Sequence, residues 1–482
     1  MLTDEQARVV SAIEKLIRGE RTGSIGVMAG AGSGKTFVLL ESARRVREIQ
    51  PHGKVLYLAY NRDIAAEAKQ KFGSLADSMT AHSFAFRTLQ VGKLGRKLRN
   101  LYPNDVRSVL AESYSDTELK GIIQILSNWC HSGDPAPKRS HVPRAVRSQV
   151  ADERLEGLIG AAEEVFEALA PGAETRAPLP HDIYVKYWQL IGAPGLEEYD
   201  LVLFDEAQDA NPVLLAAMDA AGNAVYVGDS HQAIYGWRGA VDAMSKVRGQ
   251  RLALTRSFRF GPKVAALANA ILAHKKKHPE HPLRGHDQTQ TEIGRVDRGE
   301  HHARIYRTNR LLIREAMMLR DRKIPFAIAG NLSDMADLVE NCAAIADGKA
   351  HKVRHPMLRA YQDWSQLEQA AERGSDGREV TQAVRIVEEF SGRLPDILAI
   401  LRNEHPSDNP RITLTTAHRS KGLEWDRVVL ASDFDHVLGQ ANPGTPTYDA
   451  EINLMYVAVT RARALLEVQV EWIQDHALDE VA

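Results

Sequence analysis

Along residues 1–90, short unbroken apolar runs alternate with longer amphipathic stretches. Ile25-Gly26-Val27-Met28 and residues 54–60 read as strands, while residues 37–41 and 63–72 read as helices. Apolar runs without strict alternation are what strands covered on both faces require. Interleaved with helices, they predict a parallel sheet. From 91 to 180 the pattern is helical throughout, with basic residues scattered over 93–99 and a basic, proline-bearing loop at 135–147. Sheet patterning returns at Leu201-Val202-Leu203-Phe204 and Ala224-Val225-Tyr226-Val227. A second run of the same kind begins near residue 256, with strands expected at 304–306 and 325–328. Residues 331–408 are helical and polar, and strands resume at 412–415 and 427–431. No internal repeat or low-complexity tract interrupts the chain. The pattern predicts two α/β cores, each broken by a helical insertion.

Composition narrows this little. At 482 residues the chain is too long for one hydrophobic core and suggests about two to four domains. The mean hydropathy of −0.32 is that of a soluble globular protein, and no apolar run is long enough to span a bilayer. The N-terminus lacks the basic and apolar regions of a signal peptide. Only Cys130 and Cys342 are present, so a reducing, cytoplasmic setting is expected and a disulfide framework is not. A net charge of −2 does not advertise nucleic-acid binding, yet a local basic groove is compatible with it.

Ala29-Gly30-Ala31-Gly32-Ser33-Gly34-Lys35-Thr36 changes the picture. It stands between a predicted strand and a predicted helix, the context a phosphate-binding loop needs. Its glycines let backbone N–H groups curl round phosphate oxygens at a helix N-terminus. Ala31, Gly32, Ser33 and Gly34 would form the cradle, Lys35 would reach the β- and γ-phosphates of ATP, and the Thr36 hydroxyl would hold Mg²⁺. The first position is Ala29 rather than Gly. Further on, the apolar run 201–204 delivers Asp205 and Glu206 to a strand end, where open α/β sheets bind ligands. Asp205 is expected to hold Mg²⁺, and Glu206 to orient and deprotonate the attacking water.

From Asp205-Glu206-Ala207-Gln208-Asp209 onward the chain resembles superfamily 1 DNA helicases of the UvrD/Rep/PcrA type. The resemblance implies two RecA-like parallel-sheet P-loop NTPase domains, each with a mainly helical insertion. In these terms residues 1–90 and 181–255 form the first core and 91–180 its insertion. Residues 256–330 and 409–482 form the second core, and 331–408 a short insertion. Gln6 matches a glutamine that reads adenine. In Val227-Gly228-Asp229-Ser230-His231-Gln232-Ala233-Ile234-Tyr235-Gly236-Trp237-Arg238, Gln232 matches a γ-phosphate sensor and Trp237 a base-stacking residue, with Tyr235 and Arg238 beside it. Ser257-Phe258-Arg259-Phe260 resembles a segment whose aromatic stacks on adenine and whose arginine meets the γ-phosphate. Leu454 to Ala462 resembles the last helicase motif, with Arg461 as a second arginine finger. In the segment 416–424, Glu424 matches a ribose contact.

The resemblance also implies a single-strand DNA track of stacking aromatics and polar groups. Tyr60, Asn61, His82 and Ser83 match its first-core positions, and Thr416 and His418 its second-core positions. His181, in a run over 181–190, and Arg307-Thr308-Asn309 are similar to the helicase core of the F-box DNA helicase branch. No F-box fits ahead of Gln6, and with the chain ending at Ala482 no nuclease is expected. The implied activity is a 3′→5′ ATP-driven motor on single-stranded DNA and its junctions, acting as a monomer, with roles in repair or recombination. A DNA-activated ATPase that senses ends or strips proteins, in phage defence or recombination control, stays open. A regulatory ATP-binding subunit and an RNA substrate are lesser rivals.

Overall fold

A computed structural model describes residues 2–148, 150–234, 243–355, 358–373, 378–404, 409–439 and 441–478. The chain divides into two compact units, Met1–Thr255 and Arg256–Ala482.

The first unit is built on six strands: β1 (Gly23–Ala29), β2 (Val55–Ala59), β3 (Asp77–Thr80), β4 (Leu201–Phe204), β5 (Asn223–Gly228) and β6 (Gln250–Leu254). They lie in the order β3-β2-β4-β5-β1-β6, and every pairing is parallel. Side chains alternate between the faces as the pleat requires. Val55, Tyr57 and Ala59 of β2 enter one apolar core, which also holds the helices Asp4–Ile17 and Lys35–Ile49. Leu56 and Leu58 enter the other. The helices Asp116–Cys130, Asp152–Leu169 and His181–Leu190 add Ile122, Trp129, Val165 and Trp188 to that second core, so the helical segment between β3 and β4 buries its apolar stripe on the sheet itself.

Lys186 is fully buried within this helical packing. Its ammonium donates to the carbonyls of Ser132 (3.0 Å) and Asp134 (2.6 Å) and to Gln189 Oε1 (2.8 Å), just past the end of the helix Asp116–Cys130. It thereby satisfies the Ser132 carbonyl and Gln189 Oε1, while the Asp134 carbonyl also accepts from the Trp129 indole N–H at 2.9 Å. Lys186→Met is expected to lower unfolding free energy by roughly 2–4 kcal/mol, because orphaned buried acceptors retain their desolvation cost. Chemical denaturation with urea reads this directly, and an unshifted midpoint would contradict it.

The second unit has β7 (Glu292–Ile293), β8 (His302–Tyr306), β9 (Phe326–Ile328), β10 (Ile412–Thr416), β11 (Trp425–Leu430) and β12 (Ala462–Val468). The order is β7-β12-β11-β8-β10-β9, again with parallel pairings. Between β9 and β10 run the helices Ser333–Ala346, Trp364–Arg373, Arg378–Phe390 and Leu394–Leu401. Val339, Val384, Ile397 and Leu414 share one core, so here too the helical segment packs on a face of the sheet.

Four strands lie outside the runs expected from sequence: β3, β6, β7 and β12. The first three stand at or next to sheet edges and are only partly buried. An edge strand needs no continuous apolar run, so β3, with the sequence Asp-Ser-Met-Thr, carries none of the expected signal.

Candidate active site and nucleic-acid interface

In the first unit the chemistry-bearing residues gather at the carboxyl ends of the strands. β1 leads into the phosphate loop, where Gly32 (φ 72°) and Gly34 (φ 81°) take the left-handed conformation that other residues avoid. Gly34 caps the helix Lys35–Ile49 without a side-chain hydrogen bond, which leaves the first-turn N–H groups for a ligand. Ala31 and Ser33 are buried, and Ser33 Oγ has no hydrogen-bond partner. An orphaned hydroxyl inside a loop of this shape fits a phosphate oxygen, so the residues present suit a nucleotide. Thr36 follows in the first turn of the helix.

Lys35 forms a hydrogen-bonded ion pair with Glu206, and both side chains are mostly buried. Burial pulls the Lys35 pKa down, but Glu206, Asp205 and Asp229 outweigh it and raise it above the ordinary lysine value. Asp205 ends β4 and is buried; Tyr57, reaching across from β2, donates its hydroxyl to one carboxylate oxygen. The Glu206 N–H donates to the other oxygen at 2.9 Å. Burial, reinforced by the charge of Glu206, pushes the Asp205 pKa up, against the opposing effects of Lys35 and Tyr57. Glu206 takes φ 51°, a left-handed backbone for a non-glycine residue.

Gln208 ties this strand end to the next. Its amide donates to Glu206 Oε2 at 2.6 Å, and its carbonyl oxygen accepts from the Asp229 N–H at 3.0 Å. A Cβ on Gly228 would stand 2.3 Å from that oxygen, so the glycine makes the link possible. Asp229 in turn accepts from the Gln232 amide at 2.9 Å. Gln6 lies buried beside the loop: it shares a capping box with Thr3 and donates to the Ser33 carbonyl at 3.5 Å. Tyr57 and Gln208 were not among the expected site residues. The available signals were a polar-tipped aromatic in an otherwise aliphatic buried strand and a glutamine in the acidic strand end.

The expected nucleic-acid residues of this unit follow β2 and β3 on the same sheet edge. Tyr60 comes directly after β2, and Asn61 caps the next helix by accepting from the Ile64 N–H at 2.8 Å. His82 and Ser83 open the helix Ala81–Thr88; Ser83 exchanges hydrogen bonds with Thr80, and burial lowers the pKa of His82. His181 starts its own helix and meets the Tyr184 hydroxyl at 2.8 Å. Beside it, Asp182 lies 3.2 Å from His131. Tyr235, Trp237 and Arg238 lie outside the described residues.

In the second unit the expected residues separate to opposite sheet ends. Glu424 and Arg461 stand immediately before β11 and β12. Arg259 joins them, donating to Glu424 Oε2 (2.7 Å) and to the Thr460 carbonyl (3.0 Å). Burial opposes ionisation of Glu424, but Arg259 and Arg463 overcome it and hold its pKa below the usual range. Arg461 is buried, its guanidinium donating to the carbonyls of Val457 (2.8 Å) and Leu423 (3.3 Å). Phe258, by contrast, is 44 % exposed. Thr416 ends β10 at the other side of the sheet and is buried, with His418 in the turn of helix after it.

Two RecA-like parallel sheets, one carrying a phosphate loop opposite paired strand-end acids, define a P-loop NTPase of tandem-core architecture. The AAA domain family matches residues 14–238, and the UvrD-like helicase C-terminal domain matches residues 378–471. The chain is 30 % identical to F-box DNA helicase protein 1 of Schizosaccharomyces pombe, over 96 % of this chain and 57 % of that protein. It is equally similar, at 30 %, to F-box DNA helicase 1 of Gallus gallus, over 96 % of this chain and 48 % of the relative. ATP-dependent DNA helicase UvrD2 of Mycobacterium tuberculosis is 22 % identical over 92 % of this chain and 76 % of its own length. The chain belongs to the UvrD-like superfamily 1 helicases. It spans about half the length of its F-box relatives. Among the described residues no helix is long and apolar enough to cross a membrane.

Proposed function

We propose that the protein is an ATP-dependent DNA helicase that translocates 3′→5′ on single-stranded DNA. One observation carries the reading: the Lys35, Asp205, Glu206 and Gln232 network and the Tyr60 and His82 segments occupy neighbouring strand ends of one sheet edge. Asp205 and Glu206 follow β4, one strand from the Tyr60 segment and two from the His82 segment, while the phosphate loop after β1 lies three and four strands from them. Asp205 and Thr36 would hold Mg²⁺, which neutralises charge on the β- and γ-phosphates. Lys35 would leave Glu206 for the phosphates, and Glu206 would then orient the attacking water. Arg259 and Arg461 of the second unit are the cations proposed to reach the transferring phosphoryl group. Gln232, held by Asp229, would sense its presence. Stacking on Tyr60 and Trp237 would carry the bases, each stack contributing about 1–3 kcal/mol with little sequence preference.

Tailed duplexes of both polarities test the reading. Unwinding is expected from 3′ tails, and unwinding confined to 5′ tails would refute the polarity. DNA-stimulated ATPase without strand separation on the same substrates would favour an end-sensing or protein-stripping ATPase instead.

Tyr57→Phe checks the acid site independently. The hydroxyl stabilises ionised Asp205, so its loss should raise that carboxyl's pKa further and move the acid limb of the kcat/KM profile for ATP to higher pH. An acid limb left in place would show that Asp205 ionisation does not control the reaction.

A further inference from the structure

Phe258 is a large apolar ring left 44 % exposed, and one face of the space beside it is taken by His286. The ring centroids are 5.6 Å apart with the planes tilted by 45°. His286 is held there by its own loop. Its N–H donates to the Phe260 carbonyl at 2.9 Å, and the Ser257 N–H donates to the Arg284 carbonyl at 2.7 Å. The two segments run so close that a Cβ on Gly285 would stand 2.2 Å from the Gly261 carbonyl carbon, and a Cβ on Gly261 would stand 2.1 Å from the Thr289 carbonyl oxygen. Two glycines therefore permit a backbone-on-backbone crossing whose result is to set the imidazole against the phenyl ring. Thr289 Oγ1 lies 3.1 Å from Nδ1, which fixes the orientation of the imidazole. Nε2 remains the ring nitrogen for a ligand's polar edge.

We propose that His286 is a nucleobase-positioning residue, forming with Phe258 a two-ring platform for the base of a nucleoside triphosphate. The proposal rests on the reading of Phe258 as the stacking aromatic and adds the second ring. The nucleotide, rather than a nucleic-acid base, is the ligand because Phe258 adjoins Arg259, whose guanidinium is engaged with Glu424 on the side of the unit proposed to meet phosphate and ribose. A purine spans two tilted rings better than a pyrimidine does, so the platform should favour ATP over CTP.

Steady-state ATP and CTP hydrolysis by the full chain, with single-stranded DNA present, tests this with His286→Ala, His286→Phe and Phe258→Ala. His286→Ala is expected to raise KM for ATP about 3- to 10-fold, the worth of one aromatic contact, with kcat changed less than about 2-fold. It should also narrow the ATP-to-CTP preference, and His286→Phe should restore both. Single-stranded DNA affinity without nucleotide should match the parent protein, which a general folding defect would not allow. If Phe258→Ala raises KM while His286→Ala leaves it unchanged, the platform proposal is overturned and the Phe258 reading stands. If neither substitution moves KM, the Phe258 reading fails and takes the proposal with it. A lower kcat with KM unmoved in His286→Ala, not rescued by His286→Phe, would mark the residue as loop packing and overturn the proposal too.

Discussion

Lys35→Ala is expected to lower ATP turnover by at least about 10²–10³-fold, the usual cost of losing one preorganised group that stabilises transition-state charge. The structure adds a second consequence. Lys35 is the ion-pair partner of Glu206, and both side chains are about 85 % buried, their exposures being 14 % and 15 %. Without the ammonium, the Glu206 carboxylate keeps Gln208 as a neighbour but loses its cation. A buried acid deprived of its cation takes up a proton more readily. In the nucleotide-free protein this is a second cost, separate from the lost phosphate contact. Lys35→Arg separates the two effects, since it keeps the charge but not the reach. If Glu206 is the base, the arginine variant should stay slow yet retain the parent pH profile. Multiple-turnover phosphate release over pH 6–9 measures both. Turnover within about tenfold of the parent in Lys35→Ala would contradict the assignment of the loop.

Arg259→Ala should have the next largest effect, roughly 10³-fold in kcat, because a cation that meets the transferring phosphoryl group acts mainly in the transition state. Nucleotide binding to the first unit should change much less. The same substitution removes the strongest charge holding Glu424 ionised, although Arg463 remains at 3.3 Å from it. Single-turnover hydrolysis set against binding of a fluorescent nucleotide separates these outcomes, and an unchanged kcat would remove Arg259 from the mechanism. Arg461→Ala is a poorer probe. Its guanidinium is buried and bonded to backbone carbonyls of Val457 and Leu423, so its loss would disturb packing of the second unit together with any catalytic role.

The nucleotide residues were legible in sequence because each sits in a short, dense motif. A glycine loop needs a strand before it and a helix after it, and both could be read within about twenty residues. The acids after β4 were legible for the same reason: a buried aliphatic run must end somewhere, and charged residues mark where. Three of the four edge strands, β3, β6 and β7, were not: β3, for one, buries too little apolar surface to be told from a loop. Nor was the attachment of the helical segments. The helical pattern over 91–180 signalled an insertion of helices, but not that their apolar faces would pack on the sheet beneath.

Sequence by itself determined the local chemistry: where backbone can turn left-handed at Gly32 and Gly34, which strand ends carry Asp205 and Asp229, and which stretches are helix or buried strand. These follow from periodicity and from residue-level sterics, which act over a few positions. Only tertiary structure decided that Tyr57 would reach Asp205, that Gln208 would join two motifs, and that Gly261 and Gly285 would cross to seat His286 against Phe258. It also decided that Glu424 and Arg461 stand at one end of the second sheet and Thr416 at the other. Those contacts join residues distant in the chain. Strand order and register create them, and no local pattern encodes which strand will lie beside which.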